Sequence, residues 1–303
     1  MTNNPIWFAK YRPTTFGGVV GQETTVAELQ AIANKDAPMS HFLFHSYEAG
    51  TGKTTCAHIL AKQLGYTLHV FNASSKKTRG IEFVEEDIIP LASSGMWETI
   101  ILLDEADRLT IQAQDALKGV IENATCYFIL TCNDLSKVSP WLQSRCQVRT
   151  FNAHGDGDMV DRLCSVSNEE GIVISIDHIL SIVRAHKGDL RNALGALQSY
   201  SCLEPAEAER FIMRLTEGFD ARRFLTLTTK EKAVAEAVKM TGAQNMRRIV
   251  REVFDYAVNS EAKPAMIQCV VEASIISERD LVNGVDESIV RWDYARMLSV
   301  GFI

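Results

Sequence analysis

Gly50-Thr51-Gly52-Lys53-Thr54-Thr55 combines the residue types needed to hold a chain of phosphates. Glycines let backbone N–H groups approach phosphate oxygens, and a helix that follows presents its positive end. The lysine reaches the β- and γ-phosphates, and the Thr54 hydroxyl can hold Mg²⁺. The strict spacing G-x-x-x-x-G-K-[ST] would put a first glycine where the chain has Tyr47, so the start of the loop departs from that pattern. A second segment, Ile100-Ile101-Leu102-Leu103-Asp104-Glu105-Ala106-Asp107, is an apolar run ending in adjacent carboxylates. Asp104 is suited to supporting the same Mg²⁺, partly through water, and Glu105 to orienting and polarising an attacking water. Thr131-Cys132-Asn133 closes another apolar run, and its amide can hydrogen-bond a γ-phosphate or that water. The chemistry implied is hydrolysis of ATP with Mg²⁺.

These groups need strand ends and helix starts to position them. Five short apolar runs, at 41–45, 67–71, 99–103, 126–131 and 147–151, read as strands. The segments between them have helical spacing, notably 53–64 and 81–92. Strands separated by helices imply a parallel, doubly wound α/β sheet. The turn-rich stretch 152–158 marks a boundary, and Glu204-Pro205 a second. We therefore expect an α/β nucleotide-binding domain at 1–152, a small helical lid at 153–205 and an all-α segment at 206–303. Asp177 and Asp189 read as helix N-terminal stops in the lid. Gly218, Gly242, Pro264 and Gly284 read as breaks in the last segment.

The chain has 303 residues, 46% apolar and 23% charged, an ordinary globular composition with no need of staples. Its seven cysteines include no C-x-x-C, which argues against a disulfide framework or a structural zinc site. No apolar run approaches the ~20 residues of a membrane span, and the start lacks a signal pattern. The expected setting is a reducing cytoplasm, with no membrane partner. The net charge of −7 is spread over both halves, so any nucleic-acid contact must use a local patch or backbone amides.

These motifs, in this order, resemble the AAA+ ATPases and, within them, the clamp loaders. Lys10-Tyr11-Arg12-Pro13 with Val19-Val20-Gly21-Gln22-Glu23 is similar to the nucleotide-binding start of replication factor C small subunits. The Asp104-Glu105-Ala106-Asp107 box, Asn133 and Ser144-Arg145-Cys146 are similar to theirs too. Gly188-Asp189-Leu190-Arg191-Asn192-Ala193-Leu194 resembles the family's second sensor in the lid. The irregular Ser46-Tyr47-Glu48-Ala49-Gly50 looks most like the large subunit of T-even-type bacteriophage clamp loaders, with an archaeal-type small subunit the near alternative. The resemblance implies that Arg12, Val20, Gly21, Gly50, Thr51, Gly52, Lys53, Thr54 and Thr55 bind nucleotide. It implies that Thr54 and Asp104 support Mg²⁺, Glu105 the water, and Asn133 and Arg191 the γ-phosphate. Arg145 would act in trans, as an arginine finger on a neighbour's ATP. Residues 206–303 would form the collar of a pentamer built from copies of this chain and a companion subunit. The load would be a sliding clamp placed on primer–template DNA.

Lys76, Lys77 and Arg79, ahead of the expected 81–92 helix, are the candidate DNA contacts; a solvated basic turn is the other reading. Ile88, Ile89, Leu91, Met96 and Trp97 are either a clamp-facing surface or a face packed on the sheet. The competing function class is another DNA-associated AAA+ ATPase, of branch-migration or initiator type.

Overall fold

The computed structural model describes residues 6–95, 97–216, 246–259, 264–282, 290, 293–294 and 296–298. The chain divides into two compact units, Met1–Leu215 and Thr216–Ile303.

The first unit is built on β1 (Phe42–His45), β2 (Thr67–Asn72), β3 (Thr99–Asp104), β4 (Tyr127–Cys132) and β5 (Gln147–Thr150). All pair in parallel in the order β2-β3-β4-β1-β5, and each lies within one residue of an expected strand. Successive side chains of a strand point to opposite faces. In β3, Ile100 and Leu102 join one fully buried cluster, Ile101 and Leu103 the other. A strand covered on both faces has to be apolar throughout, which is why β3 reads as an unbroken run. Burying each such side chain contributes roughly 1.5–3 kcal/mol. Register aligns His45 with Cys132 and Asn72 with Asp104. The C-terminal ends of β1, β3 and β4, which carry the chemistry, therefore lie side by side.

α1 (Trp7–Lys10) and α2 (Glu23–Ala33) precede the sheet, and α3 (Lys53–Leu64) follows β1. α3 stops at Gly65, whose φ of +72° is the left-handed geometry of a helix end. The expected 81–92 helix is present with an interruption. α4 (Ile81–Phe83) passes through a π-helical turn, Val84–Ile88, into α5 (Ile89–Ala92). Pro90 offers no N–H and its ring crowds the preceding turn, so the helix widens just before it. Ile88 is fully buried and Leu91 half-buried in the core below. Ile89 and Trp97 are 38% and 58% exposed. Met96 lies outside the described residues. α6 (Ile111–Asn123) and α7 (Pro140–Arg145) complete this face. Gln114 of α6, 4% exposed, donates to the carbonyls of Leu109 and Lys137 and accepts from the N–H of Ser139.

The lid comprises α8 (Asp156–Glu170), α9 (Ile176–His186), α10 (Leu190–Ser201) and α11 (Pro205–Thr216). Asp189 caps α10 as expected, accepting from the Asn192 N–H. For α9 the cap is Ser175, which accepts from the His178 N–H, and Asp177 lies inside the first turn. Ser175 is extended, at φ −75° and ψ 152°, the non-helical conformation of an Ncap. α11 adds Ile212 to the lid cluster of Met159, Leu163, Ile182 and Leu197. Trp7 and Tyr11 of the N-terminal segment are buried in that same cluster.

In the second unit α12 (Met246–Asn259) and α13 (Pro264–Val282) pack through Val250, Val253, Ala257, Val270 and Ala273. Pro264 opens α13. Gly218, Gly242 and Gly284 fall outside the described residues.

Candidate nucleotide site

Backbone geometry explains the glycines of the phosphate loop. Gly50 has φ +72°, and a Cβ there would overlap the Asp189 carboxylate and approach Arg191 to 3.3 Å. Gly52, at φ +100°, caps α3 so that Lys53 begins the helix. The Lys53 ammonium is nearly buried and donates to Asn133 Oδ1 at 2.8 Å and to the Glu48 carbonyl at 3.2 Å. Burial holds its pKa below the ordinary lysine value. Tyr47, where the strict pattern has glycine, stands 76% exposed with its ring edge-on to His45.

Thr54 Oγ1 donates to Asp104 Oδ1 at 2.8 Å, and Thr131 Oγ1 donates to the same oxygen at 2.6 Å. Thr131 Oγ1 in turn accepts from the Glu105 N–H at 3.0 Å. Glu105 adopts φ +58°, a left-handed conformation uncommon outside glycine. Thr131 therefore positions both carboxylate residues at once. The sequence reading named it only as Asn133's neighbour. Hard oxygen donors from Thr54 and Asp104, brought together at the phosphate loop, fit Mg²⁺.

These residues open on a cleft of about 460 Å³. Arg12, Val20, Thr51, Thr54, Thr55 and Arg191 are among the residues that wall it. Arg12 Nε donates to Thr55 Oγ1 at 3.0 Å. Burial, then the nearby Arg191, lowers its pKa. Gly21 sits behind that wall, against Asp158 and His154. Arg162, an α8 residue that no motif pointed to, also lines the cleft and donates to the Tyr11 carbonyl at 2.9 Å. Four guanidinium or ammonium groups thus face two carboxylates, an excess suited to a polyphosphate.

Arg145 is not among the residues lining this cleft. It is half-buried over the Trp141 ring, 5.8 Å from its centroid, and paired with Glu122. Lys76, Lys77 and Arg79 are exposed in the loop before α4, also away from the cleft. That loop is pinned by Thr78 to the Asn72 carbonyl and by the Thr110 N–H to the Arg79 carbonyl. The cysteine readings are bland: burial pushes the thiols of Cys56, Cys132 and Cys146 up to about 12 and Cys126 to about 11. Among the described residues no cluster of three His, Cys, Asp or Glu could hold a metal, and no helix is long and apolar enough to cross a membrane.

A parallel five-stranded sheet with a phosphate loop after β1 and carboxylates after β3 defines a P-loop ATPase. Residues 43–154 match the ATPase family associated with various cellular activities (AAA). The replication factor C small subunit of Methanocella arvoryzae is 30% identical over 316 residues, covering 95% of this chain and 94% of that protein. That of Archaeoglobus fulgidus is 30% identical over 327 residues, covering 99% and 98%. Replication factor C subunit 4 of Encephalitozoon cuniculi is 36% identical over 196 residues, 63% of each. Among solved structures, a variant of Thermotoga maritima RuvB superposes with a TM-score of 0.61 at 15% identity, covering 95% of this chain and 90% of that one. The Thermotoga maritima RuvB Holliday junction branch migration motor gives 0.58 at 17%, covering 80% and 85%. At such identities the superpositions speak to fold alone. The chain belongs to the replication factor C small-subunit family and is an ATP hydrolase.

Proposed function

We propose that this chain is an ATPase subunit of a DNA polymerase sliding-clamp loader, and that its site is completed by a neighbouring copy. The observation that carries this is the position of Arg145 outside its own chain's cleft, while Lys53, Thr54, Asp104, Glu105, Asn133 and Arg191 all line it. In trans, Arg145 stabilises charge on the transferring phosphoryl of the adjacent chain's ATP, worth about 10³–10⁵ in rate. Within one chain, Lys53 exchanges Asn133 and Glu48 for the phosphates. Asn133, so released, turns to the γ-phosphate or the water. Glu105 orients and polarises that water, held by its N–H on Thr131. Arg191 contacts the γ-phosphate from the lid, and Arg12 and Val20 form the base and ribose side, with Gly21 behind them. Mg²⁺, held by Thr54 and Asp104, neutralises phosphate charge when bound.

ATP binding draws the subunits into an open spiral that grips the clamp and admits primer–template DNA; hydrolysis releases the clamp there. The second compact unit, residues 216–303, serves as the collar of a pentamer with a companion subunit. Arg79, with Lys76 and Lys77, contacts DNA phosphates. The helix that follows is acidic, with Glu82, Glu85, Glu86 and Asp87, so these loop cations carry the attraction. The glycine-less start of the loop at Tyr47 supports a phage-type loader in a host cytoplasm.

The test is steady-state ATP hydrolysis by the chain with its companion subunit, alone, with cognate clamp, with primer–template DNA and with both. Synergy between clamp and DNA is expected. Stimulation by DNA with no effect of the clamp would instead indicate a branch-migration or initiator type of ATPase.

A further inference from the structure

His154 lies in the loop between β5 and α8, where the sheet gives way to the lid, and is 6% exposed. Its Nε2 is 3.2 Å from the carbonyl oxygen of Gly50. A carbonyl only accepts, so Nε2 carries the proton and donates. Its backbone N–H donates to the Gly188 carbonyl at 3.4 Å. Its Nδ1 is buried with no hydrogen-bond partner, 3.4 Å from where a Cβ on Gly21 would lie. One residue thus touches the phosphate loop, the base-side turn and the lid.

The lid approaches from the other side. Gly188 has φ +87°, and a Cβ there would fall 2.8 Å from Ala153 Cβ and 3.2 Å from the His154 nitrogen. The next residue, Asp189, caps α10 and packs directly on Gly50. Arg191 stands in the first turn of α10. The chain of contact is therefore Gly50, His154, Gly188, Asp189 and Arg191, with glycine at each close approach.

We propose that His154 is a positioning residue for ATP hydrolysis: its Nε2–H holds the Gly50 carbonyl and so keeps α10 in register, letting Arg191 distinguish ATP from ADP. This rests on the reading of Arg191 as the lid's contact to the γ-phosphate. His154 lines the same cleft, with its Nε2–H committed to the Gly50 carbonyl.

The experiment measures Kd for ADP and for a non-hydrolysable ATP analogue, with Mg²⁺, on the full chain. The variants are His154→Ala, His154→Asn, His154→Gln, Arg191→Ala and the His154→Ala/Arg191→Ala pair. His154→Ala is expected to lower the preference for the ATP analogue over ADP by about 10-fold, the scale of one buried hydrogen bond. Glutamine, whose amide reaches the Nε2 position, retains the preference. Asparagine fills the space but its shorter amide does not reach Gly50, so it behaves as alanine. The pair is no worse than Arg191→Ala alone, because both residues act through one contact. ADP affinity reports an intact cleft in every variant. Equal loss for ADP and the analogue, or no rescue by glutamine, overturns the proposal. If Arg191→Ala loses the preference and His154→Ala keeps it, this inference falls and the reading of Arg191 stands. If neither variant loses it, both fall.

Discussion

The cleft and the Ser144-Arg145 corner carry charge under opposite conditions. In the cleft the polar groups answer one another: Thr54 and Thr131 both donate to Asp104, Lys53 donates to Asn133, and Arg12 donates to Thr55. At the corner, Arg145 meets a half-exposed carboxylate and an indole ring at the protein surface. The first region is preorganised by groups that strand register brings together. The second is parked, and its surface partner gives little that a better one could not replace. If Arg145 serves a neighbouring chain as proposed, turnover is tied to assembly.

The contrast is broken most severely at the finger. Arg145→Ala should cost the assembled complex about 10³-fold or more in single-turnover hydrolysis while each chain binds ATP as before. A lone chain hydrolysing as fast as the complex would refute the division. Glu105→Gln should cost about 10²–10⁴-fold in turnover and keep ATP affinity, since it removes the group that polarises water. Normal steady-state hydrolysis there would remove Glu105 from the mechanism. Thr131→Val keeps the shape but leaves the Asp104 oxygen and the Glu105 N–H without that hydroxyl. About 10-fold slower turnover is expected, with a higher Mg²⁺ requirement; an unchanged Mg²⁺ titration would count against the shared role. Arg79→Ala should reduce the salt slope of primed-DNA binding by about 1, and identical slopes would take that loop out of the DNA interface. The smallest effect belongs to Glu122→Gln. Thermal stability and turnover should both hold, because a carboxylate at the surface contributes little to either. A marked loss of stability would mean that the corner is built like the cleft.

Much of this was legible in the sequence because it is local. A buried parallel strand must be apolar throughout, and a phosphate loop must carry glycine where Cβ cannot fit, so β1, β3 and Gly50-Thr51-Gly52 announce themselves. Asp189 announced the start of α10 for the same reason. Asp177 misled because Ser175, two residues earlier, caps equally well by type and only geometry chooses between them. The π-helical turn before Pro90 follows from that proline, yet a helical pattern reads straight through it. Thr131, Arg162, Gln114 and His154 were not legible as site or support residues. Each works through a partner far along the chain, such as Gly50 for His154, and periodicity holds no record of such pairs. The RuvB superpositions show the complementary limit: a shared fold at 15–17% identity leaves open which motor is present, whereas near-full-length 30% identity to replication factor C small subunits narrows it.

The burial of Trp7 among the lid helices has a consequence for how the molecule is made. Its backbone N–H donates to Gln198 Oε1 across 191 positions of sequence. At synthesis rates of about 5–20 residues per second, the N-terminal segment waits roughly 10–40 s for that partner to leave the ribosome. The sheet can condense in the meantime, because its five strands are complete by Thr150. The lid cannot close its core until the oldest part of the chain returns to meet the newest. Arg12, one residue past Tyr11 of that lid cluster, therefore takes its final place in the cleft only after the lid helices have been made.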